Sequence, residues 1–215
     1  SVTSIGTNAF ANCTSLQSMT IPDSVTTIGS RIFQSCTALQ SVTIGNGITS
    51  IGNDEFKELN ALLSVTIGNN VTSIGWDAFK SCSSLQSVTI GNSVTSIASN
   101  AFSFCGKLQN VTIPDSVTSI GDYAFRGCTE LQSVTIGDSV TTIGEHVFGY
   151  CYQLKYIIIP DSVTSIDDNA FIQSTKLEKL YVTSNNGLSL TDNVTVTIGG
   201  RNVLITFETP PTPEP

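Results

Sequence analysis

Apolar residues in this chain fall on a 23-residue beat. The register that begins at Val2 restarts at Val25, Ile48, Val71, Val94, Val117, Val140 and Val163 without an insertion or deletion. A fixed period of twenty-odd residues marks a solenoid, in which each unit buries its apolar face only against its neighbours. In the unit from Val117 to Ser139, the positions Val117, Ile120, Ala124, Phe125, Cys128, Leu131, Val134 and Ile136 carry the apolar pattern. Val134 and Ile136 alternate with Ser133 and Thr135, which predicts a short strand with valine and isoleucine inward and the hydroxyls outward. Ala124-Phe125-x-x-Cys128 is spaced by three and four, which predicts a single helical or 3₁₀ turn on the opposite side. A corner follows the strand: Gly137-Asp138-Ser139 here, Pro-Asp-Ser in three other copies. Such pairs are turn formers. Val117 to Ile120 then runs extended along the back, as a second narrow parallel sheet.

One unit alone cannot offset the entropy of fixing its own backbone. Stacking at about 4.8 Å per strand merges eight small clusters into one core and gives a rod about 40 Å long. The expected fold is therefore an α/β repeat solenoid over residues 1–182: a parallel β-sheet on one face, short helical or 3₁₀ turns opposite. After Val182 the period stops. Val194–Ile198 and Val203–Phe207 alternate around Gly199-Gly200-Arg201-Asn202, which predicts a β-hairpin cap over 183–208. Pro210, Pro211, Pro213 and Pro215 make 209–215 a stiff extended tail.

Composition narrows the function classes. With 40% hydrophobic and only 12% charged residues, the chain is rich in core. Its net charge of −8 and nine scattered basic residues argue against nucleic acid or an anionic membrane as partner. No run of 18 apolar residues occurs, so no membrane insertion is expected. The chain opens inside a repeat with no polar cap ahead of it, and is read as a piece of a longer protein.

The unit LxxVxIPDSVTSIGxxAFxxC resembles the BspA-like leucine-rich-repeat family, through its Pro-Asp-Ser corner, Ile-Gly and Ala-Phe-x-x-Cys, over about residues 1–182. The resemblance implies a curved right-handed solenoid on secreted or cell-surface proteins of host-associated microbes, used for adhesion to host matrix proteins, host cells or other microbes. It carries over no catalytic residues and no ligand.

Candidate chemistry is sparse. Cys13, Cys36, Cys82, Cys105, Cys128 and Cys151 share one column of the repeat, with Leu59 and Ser174 in the remaining slots. A slot that accepts leucine reads as an apolar pocket, and stacked side chains about 4.8 Å apart overreach the roughly 3.5–4.5 Å Cβ separation of a disulfide. Free, buried thiols are expected, and no metal site, because zinc needs ligands converging on a point. His146 is the one histidine and has no triad partners in its repeat. The carboxylates of Asp115, Asp138 and Asp161 raise calcium, but earlier units place Asn46, Asn69 and Asn92 in that column, so turn capping is the reading. No phosphate loop opens a helix. Asn12, Asn70, Asn110 and Asn193 head glycosylation sequons, three of them products of the repeat vocabulary.

Two surface patterns remain. One is a polar ladder, Ser18, Ser41, Ser64, Ser87, Asn110 and Ser133 beside Thr20, Thr43, Thr66, Thr89, Thr112 and Thr135. It is explained by β-propensity, with a regular binding face, even one matched to an ice lattice, as the alternative. The other breaks the regularity: Tyr156 and Ile158, then Lys179 and Tyr181, replace ladder residues, and Tyr123, Tyr150 and Tyr152 fill nearby variable slots. Aromatic clusters of this kind suit protein interfaces; packing beneath the C-terminal hairpin is the competing explanation. The sequence thus points to a non-catalytic, cofactor-free, monomeric adhesion or protein-binding domain, extracellular or at the cell surface, with a protein or glycan ligand. A structural scaffold or targeting arm of a larger surface protein is the second reading.

Overall fold

A computed structural model describes residues 1–182, 194–198 and 201–206 of the 215. Each coil contributes a two-residue strand and then a longer one. In the first four coils these are β1 (Ser4–Ile5), β2 (Ser18–Ile21), β3 (Thr27–Ile28), β4 (Ser41–Ile44), β5 (Ser50–Ile51), β6 (Ser64–Ile67), β7 (Ser73–Ile74) and β8 (Ser87–Thr89). The next four give β9 (Ser96–Ile97), β10 (Asn110–Thr112), β11 (Ser119–Ile120), β12 (Ser133–Thr135), β13 (Thr142–Ile143), β14 (Tyr156–Ile159), β15 (Ser165–Ile166) and β16 (Lys179–Val182). Long strands pair in parallel one repeat apart, as in Ser18 with Ser41 and Ser41 with Ser64. The short strands form the narrow back sheet anticipated along Val117–Ile120, in three pieces: β1–β3, β5–β7–β9–β11 and β13–β15. Beyond them, β17 (Val194–Ile198) and β18 (Arg201–Thr206) pair antiparallel, and β18 adds in parallel to the edge of β16. The tail 209–215 lies outside the described residues.

The helical turns expected at Ala-Phe-x-x-Cys are not helices; no helix occurs among the described residues. Their in-turn bonds do run from residue i to i−3, as in Lys80 N–H to Asp77 O (3.0 Å) and Cys82 N–H to Phe79 O (3.2 Å). Two left-handed residues in each of the first seven coils, and one in the eighth, interrupt them. The first column is Asn8, Arg31, Asp54, Asp77, Asn100, Tyr123 and His146; the second is Asn12, Ser35, Glu58, Ser81, Phe104, Gly127, Tyr150 and Gln173. These conformers turn alternate peptide planes along the solenoid axis, so Asp77, Phe79 and Ser81 donate to Ser99, Ala101 and Ser103 of the next coil at 3.2, 2.7 and 2.8 Å. A third inter-coil ladder therefore runs along the turn flank without a strand, and satisfies backbone groups that burial would otherwise strand.

Inside, one phenylalanine per coil forms a continuous stack from Phe10 to Phe171, with Phe56 and Phe79 nearly parallel at 4.9 Å between ring centroids. The six cysteines are free thiols; five are buried and Cys13, in the first coil, is exposed. That corrects the expectation of six buried thiols. Their pocket is also less apolar than its acceptance of leucine implied. Cys36, Cys82, Cys105, Cys128 and Cys151 each donate Sγ–H to the phenylalanine carbonyl of the preceding coil at 3.0–3.4 Å. Ser174 makes the same bond at 2.6 Å. At the corners, Asp23 Oδ1 accepts the N–H of Asn46, Asn46 Oδ1 that of Asn69, and Asp115 Oδ1 that of Asp138. Asx capping here reaches forward, each side chain closing the turn of the following coil. No cluster of His, Cys, Asp or Glu able to hold a metal ion occurs among the described residues.

The back sheet breaks between β3 and β5 and again between β11 and β13, and the first of these junctions also loses the turn-flank ladder. Glu55 occupies the slot that Ala78, Ala101, Ala124 and Ala170 fill elsewhere. Its carboxylate is 4% exposed and accepts the N–H groups of Arg31 (3.2 Å) and Ile32 (3.1 Å) in the preceding coil. The back sheet is interrupted here, β3 pairing only with β1. A Cβ on Gly75 would lie 2.7 Å from Gly52 of the coil behind, but one on Gly52 would meet nothing nearer than Glu55 Oε2 at 3.6 Å. The flank opens into a cleft of about 340 Å³ beside Phe33, Leu59 and Trp76, while the β4–β6 ladder stays complete from Ser41 to Ile44. The second and third coils are thus joined on the strand face and wedged apart behind it.

Candidate partner-binding ridge

The left-handed columns explain where the aromatic residues point. Side chains on the turn flank leave the coil between inter-coil hydrogen bonds, so the flank is a surface on which each coil displays its variable residues. Small polar residues suit the left-handed conformation, and most coils use Asn, Asp or Ser there. The fifth to seventh coils instead place Phe104 (φ 60°), Tyr123 (φ 64°), His146 (φ 54°) and Tyr150 (φ 61°) in it. Bulky residues held in this region cost on the order of 1 kcal/mol each. Four such residues fall in three adjacent coils, while Arg31, Glu58 and Gln173 are the other long side chains in these columns.

These side chains converge on Arg126. Its guanidinium carbon lies 4.8 Å from the Tyr150 ring centroid, 5.3 Å from Phe104 and 5.9 Å from Tyr123. Tyr123 meets His146 edge-on at 5.0 Å and donates its hydroxyl to Glu145 Oε1 at 2.9 Å, which holds the phenol pKa above its ordinary value. Tyr150 meets Tyr152 edge-on at 6.4 Å. Phe104 and Tyr152 are 43% and 40% exposed, so the ridge offers ring surface to solvent. A second aromatic stands apart on the same flank: Trp76, 47% exposed, between Lys57 (5.9 Å) and Lys80 (6.0 Å), both ion-paired to the buried Asp77.

The six residues singled out from the sequence fall into two groups. Tyr123, Tyr150 and Tyr152 lie on the turn flank. Tyr156 and Ile158 lie on β14 and Tyr181 on β16, in the strand sheet, where Ile158 pairs with Tyr181 and Tyr156 with Lys179. Tyr156 packs edge-on against Tyr181 at 5.5 Å, and Tyr181 is 7% exposed beneath Lys179 Nζ at 5.8 Å. This strand pair sits beside β18. Sequence reasoning missed Arg126, Phe104 and Trp76, although Phe104 and Tyr150 share a column that Asn12, Ser35 and Ser81 fill elsewhere. His146 has Glu145 Oε1 3.8 Å from Nε2, and its Nδ1 is buried without a partner. Among the described residues its side-chain partners are Glu145 and the Tyr123 ring.

Comparison with known proteins agrees with this architecture. In structure, the chain is similar to a leucine-rich cell surface protein from Faecalibacterium prausnitzii A2-165 (28% identity, TM-score 0.53, 89% of this chain and 70% of that one). It is likewise similar to the leucine-rich repeat protein TpLRR of T. pallidum (28%, 0.56, 82% and 72%). The pneumococcal vaccine antigen PcpA shares the fold at 23% identity and TM-score 0.57, with 86% of this chain aligned to 55% of that one. A search of curated proteins returns no match. The BspA-type leucine-rich repeat region matches in six copies over residues 1–108 and 95–193, so the chain belongs to the BspA-type leucine-rich repeat family.

Proposed function

We propose that this solenoid is a non-catalytic binding module of a secreted or cell-surface protein, and that it holds a protein partner on the turn-flank ridge of Phe104, Tyr123, Arg126, Tyr150 and Tyr152. The observation that carries the reading is the set of bulky aromatic residues kept in left-handed backbone around one arginine. Backbone strain concentrates where function needs it, and tyrosine and arginine are the residues that dominate binding energy at protein interfaces. Support for a surface location comes from family membership and from a structural neighbour described as a cell surface protein. The polar residues that recur do so once per coil and in lines, an arrangement suited to display and poorly suited to converging on a reacting atom.

The test is a binding screen of this chain against extracellular-matrix proteins and glycans, repeated with Tyr123→Ser/Tyr150→Ser. Loss of roughly 2 kcal/mol or more of affinity with an unchanged circular dichroism spectrum supports the ridge. A folded double variant that binds every captured ligand as well as the parent does removes it.

A further inference from the structure

Arg126 differs from the other paired cations of the chain. Lys57, Lys80 and Lys107 each have a carboxylate within ion-pair distance. Arg126 is held instead by the faces of three rings, and its Nε is buried without a hydrogen-bond partner. Among the described residues, none of the neighbouring carboxylates is within ion-pair distance of it. Glu145 accepts the Tyr123 hydroxyl, Glu130 pairs with Lys107, and Asp122 Oδ1 accepts the N–H of Glu145. A chain of net charge −8 surrounds this half-buried guanidinium with rings, and among the described residues no carboxylate pairs with it.

With Nε buried, the Nη edge is the part of the guanidinium left to an incoming group, and its two N–H donors match a carboxylate in bidentate geometry. An exposed aromatic rim around such a fork keeps water from an incoming ion pair, which strengthens it. Resting on the reading of the ridge as a protein-binding site, we infer that Arg126 is its specificity residue, and that the partner presents an aspartate or glutamate carboxylate beside an apolar side chain. The carboxylate docks on the guanidinium edge and the apolar group lies against Phe104 or Tyr152. Charge complementarity selects this occupant: the ridge offers an unpaired cation, and a basic partner would leave it buried and repelled.

The experiment is selection of a random 12-residue phage-displayed peptide library on this chain, followed by affinity measurement of the recovered peptides on Arg126→Gln, Arg126→Lys and Tyr150→Ser. The expected result is enrichment of Asp or Glu next to an apolar residue, with affinity about tenfold or more weaker on Arg126→Gln and several-fold weaker on Arg126→Lys, which keeps the charge but not the planar fork. Thermal melts confirm folding of each variant, and if Arg126→Gln does not fold, the Lys variant alone decides. Peptides that need Tyr150 but bind Arg126→Gln, or Arg126→Lys in that case, as tightly as the parent overturn the carboxylate assignment and leave the ridge standing. Peptides indifferent to Tyr150 and Arg126 alike, or no enrichment at all, overturn both.

Discussion

Glu55 accepts the backbone N–H of Ile32 at 3.1 Å from a slot where Ala78 and Ala101 bring only a methyl group. One carboxylate therefore replaces, at a single junction, the carbonyl acceptors that the turn flank uses elsewhere, and the coils behind it stand apart.

Burial raises the Glu55 pKa above the ordinary carboxylate value, more than the N–H groups of Ile32 and Arg31 lower it. A carboxyl whose folded pKa is raised is a cost while ionised: stability falls as pH rises through the unfolded and then the folded pKa, and recovers as pH drops back. Glu55→Ala removes that cost and restores the repeat's own residue. Its melting temperature at neutral pH should exceed the parent's. The gap should narrow as pH is lowered toward 4. Thermal melts across pH check this, and a variant less stable than the parent at neutral pH would contradict the wedge.

Thiol chemistry should separate one cysteine from five. Cys13 is exposed and should react with a thiol reagent in the native protein. Cys82 and Cys128 are pushed up to about 12 by burial, and Cys105 and Cys151 rise for the same reason, so they and Cys36 should react only on unfolding. Cys105→Ser should be tolerated, since Ser174 already makes the equivalent bond. Cys105→Ala should cost about 1 kcal/mol for the lost donor. Native and denatured thiol counts with chemical denaturation measure both.

The phenylalanine stack should dominate stability. Phe125 is fully buried, 5.3 Å from Phe102 and 5.7 Å from Phe148. Phe125→Ala should cost about 3 to 5 kcal/mol, whereas Thr135→Ala on the exposed ladder should stay within about 0.5 kcal/mol. Urea unfolding would rank them, and a larger loss at Thr135 would reverse the inside and outside of the coil.

Tyr150→Asn puts a residue suited to left-handed backbone at φ 61°. Relief of about 1 kcal/mol of strain should offset the lost ring contact with Arg126, so the melting temperature should hold or rise while partner affinity drops. Calorimetry beside a binding assay shows whether the two move apart.

The inward and outward positions of each coil were legible because burial repeats every 23 residues and leaves Val134 and Ile136 no alternative face. The turn flank was read as helical because spacing by three and four does not report the sign of φ. Asn8, Asp54, Asp77 and Asn100 in one column were the available signal, since these side chains tolerate left-handed backbone. Leu59 hid the donor role of the cysteine column, and Ser174 was the clue that a hydroxyl or thiol is wanted there. The ridge was half visible: tyrosines stand out in a chain of Ser and Thr, but the contact of Arg126 with rings from three coils depends on the stacking itself.

A pulling force along the solenoid axis passes through its junctions one after another, so the molecule is as strong as its least bonded seam. The sixth and seventh coils, whose back strands are unpaired, keep the flank bonds of Tyr123, Phe125 and Gly127. Between the second and third coils the back strands are also unpaired and the turn-flank ladder is lost as well, so the β4–β6 ladder carries that load on one side of the axis. Tension there bends before it shears, peeling the seam open from the Glu55 side. The first two coils are the part of the molecule that yields first under strain, as a mechanical fuse ahead of the coils that bear Arg126.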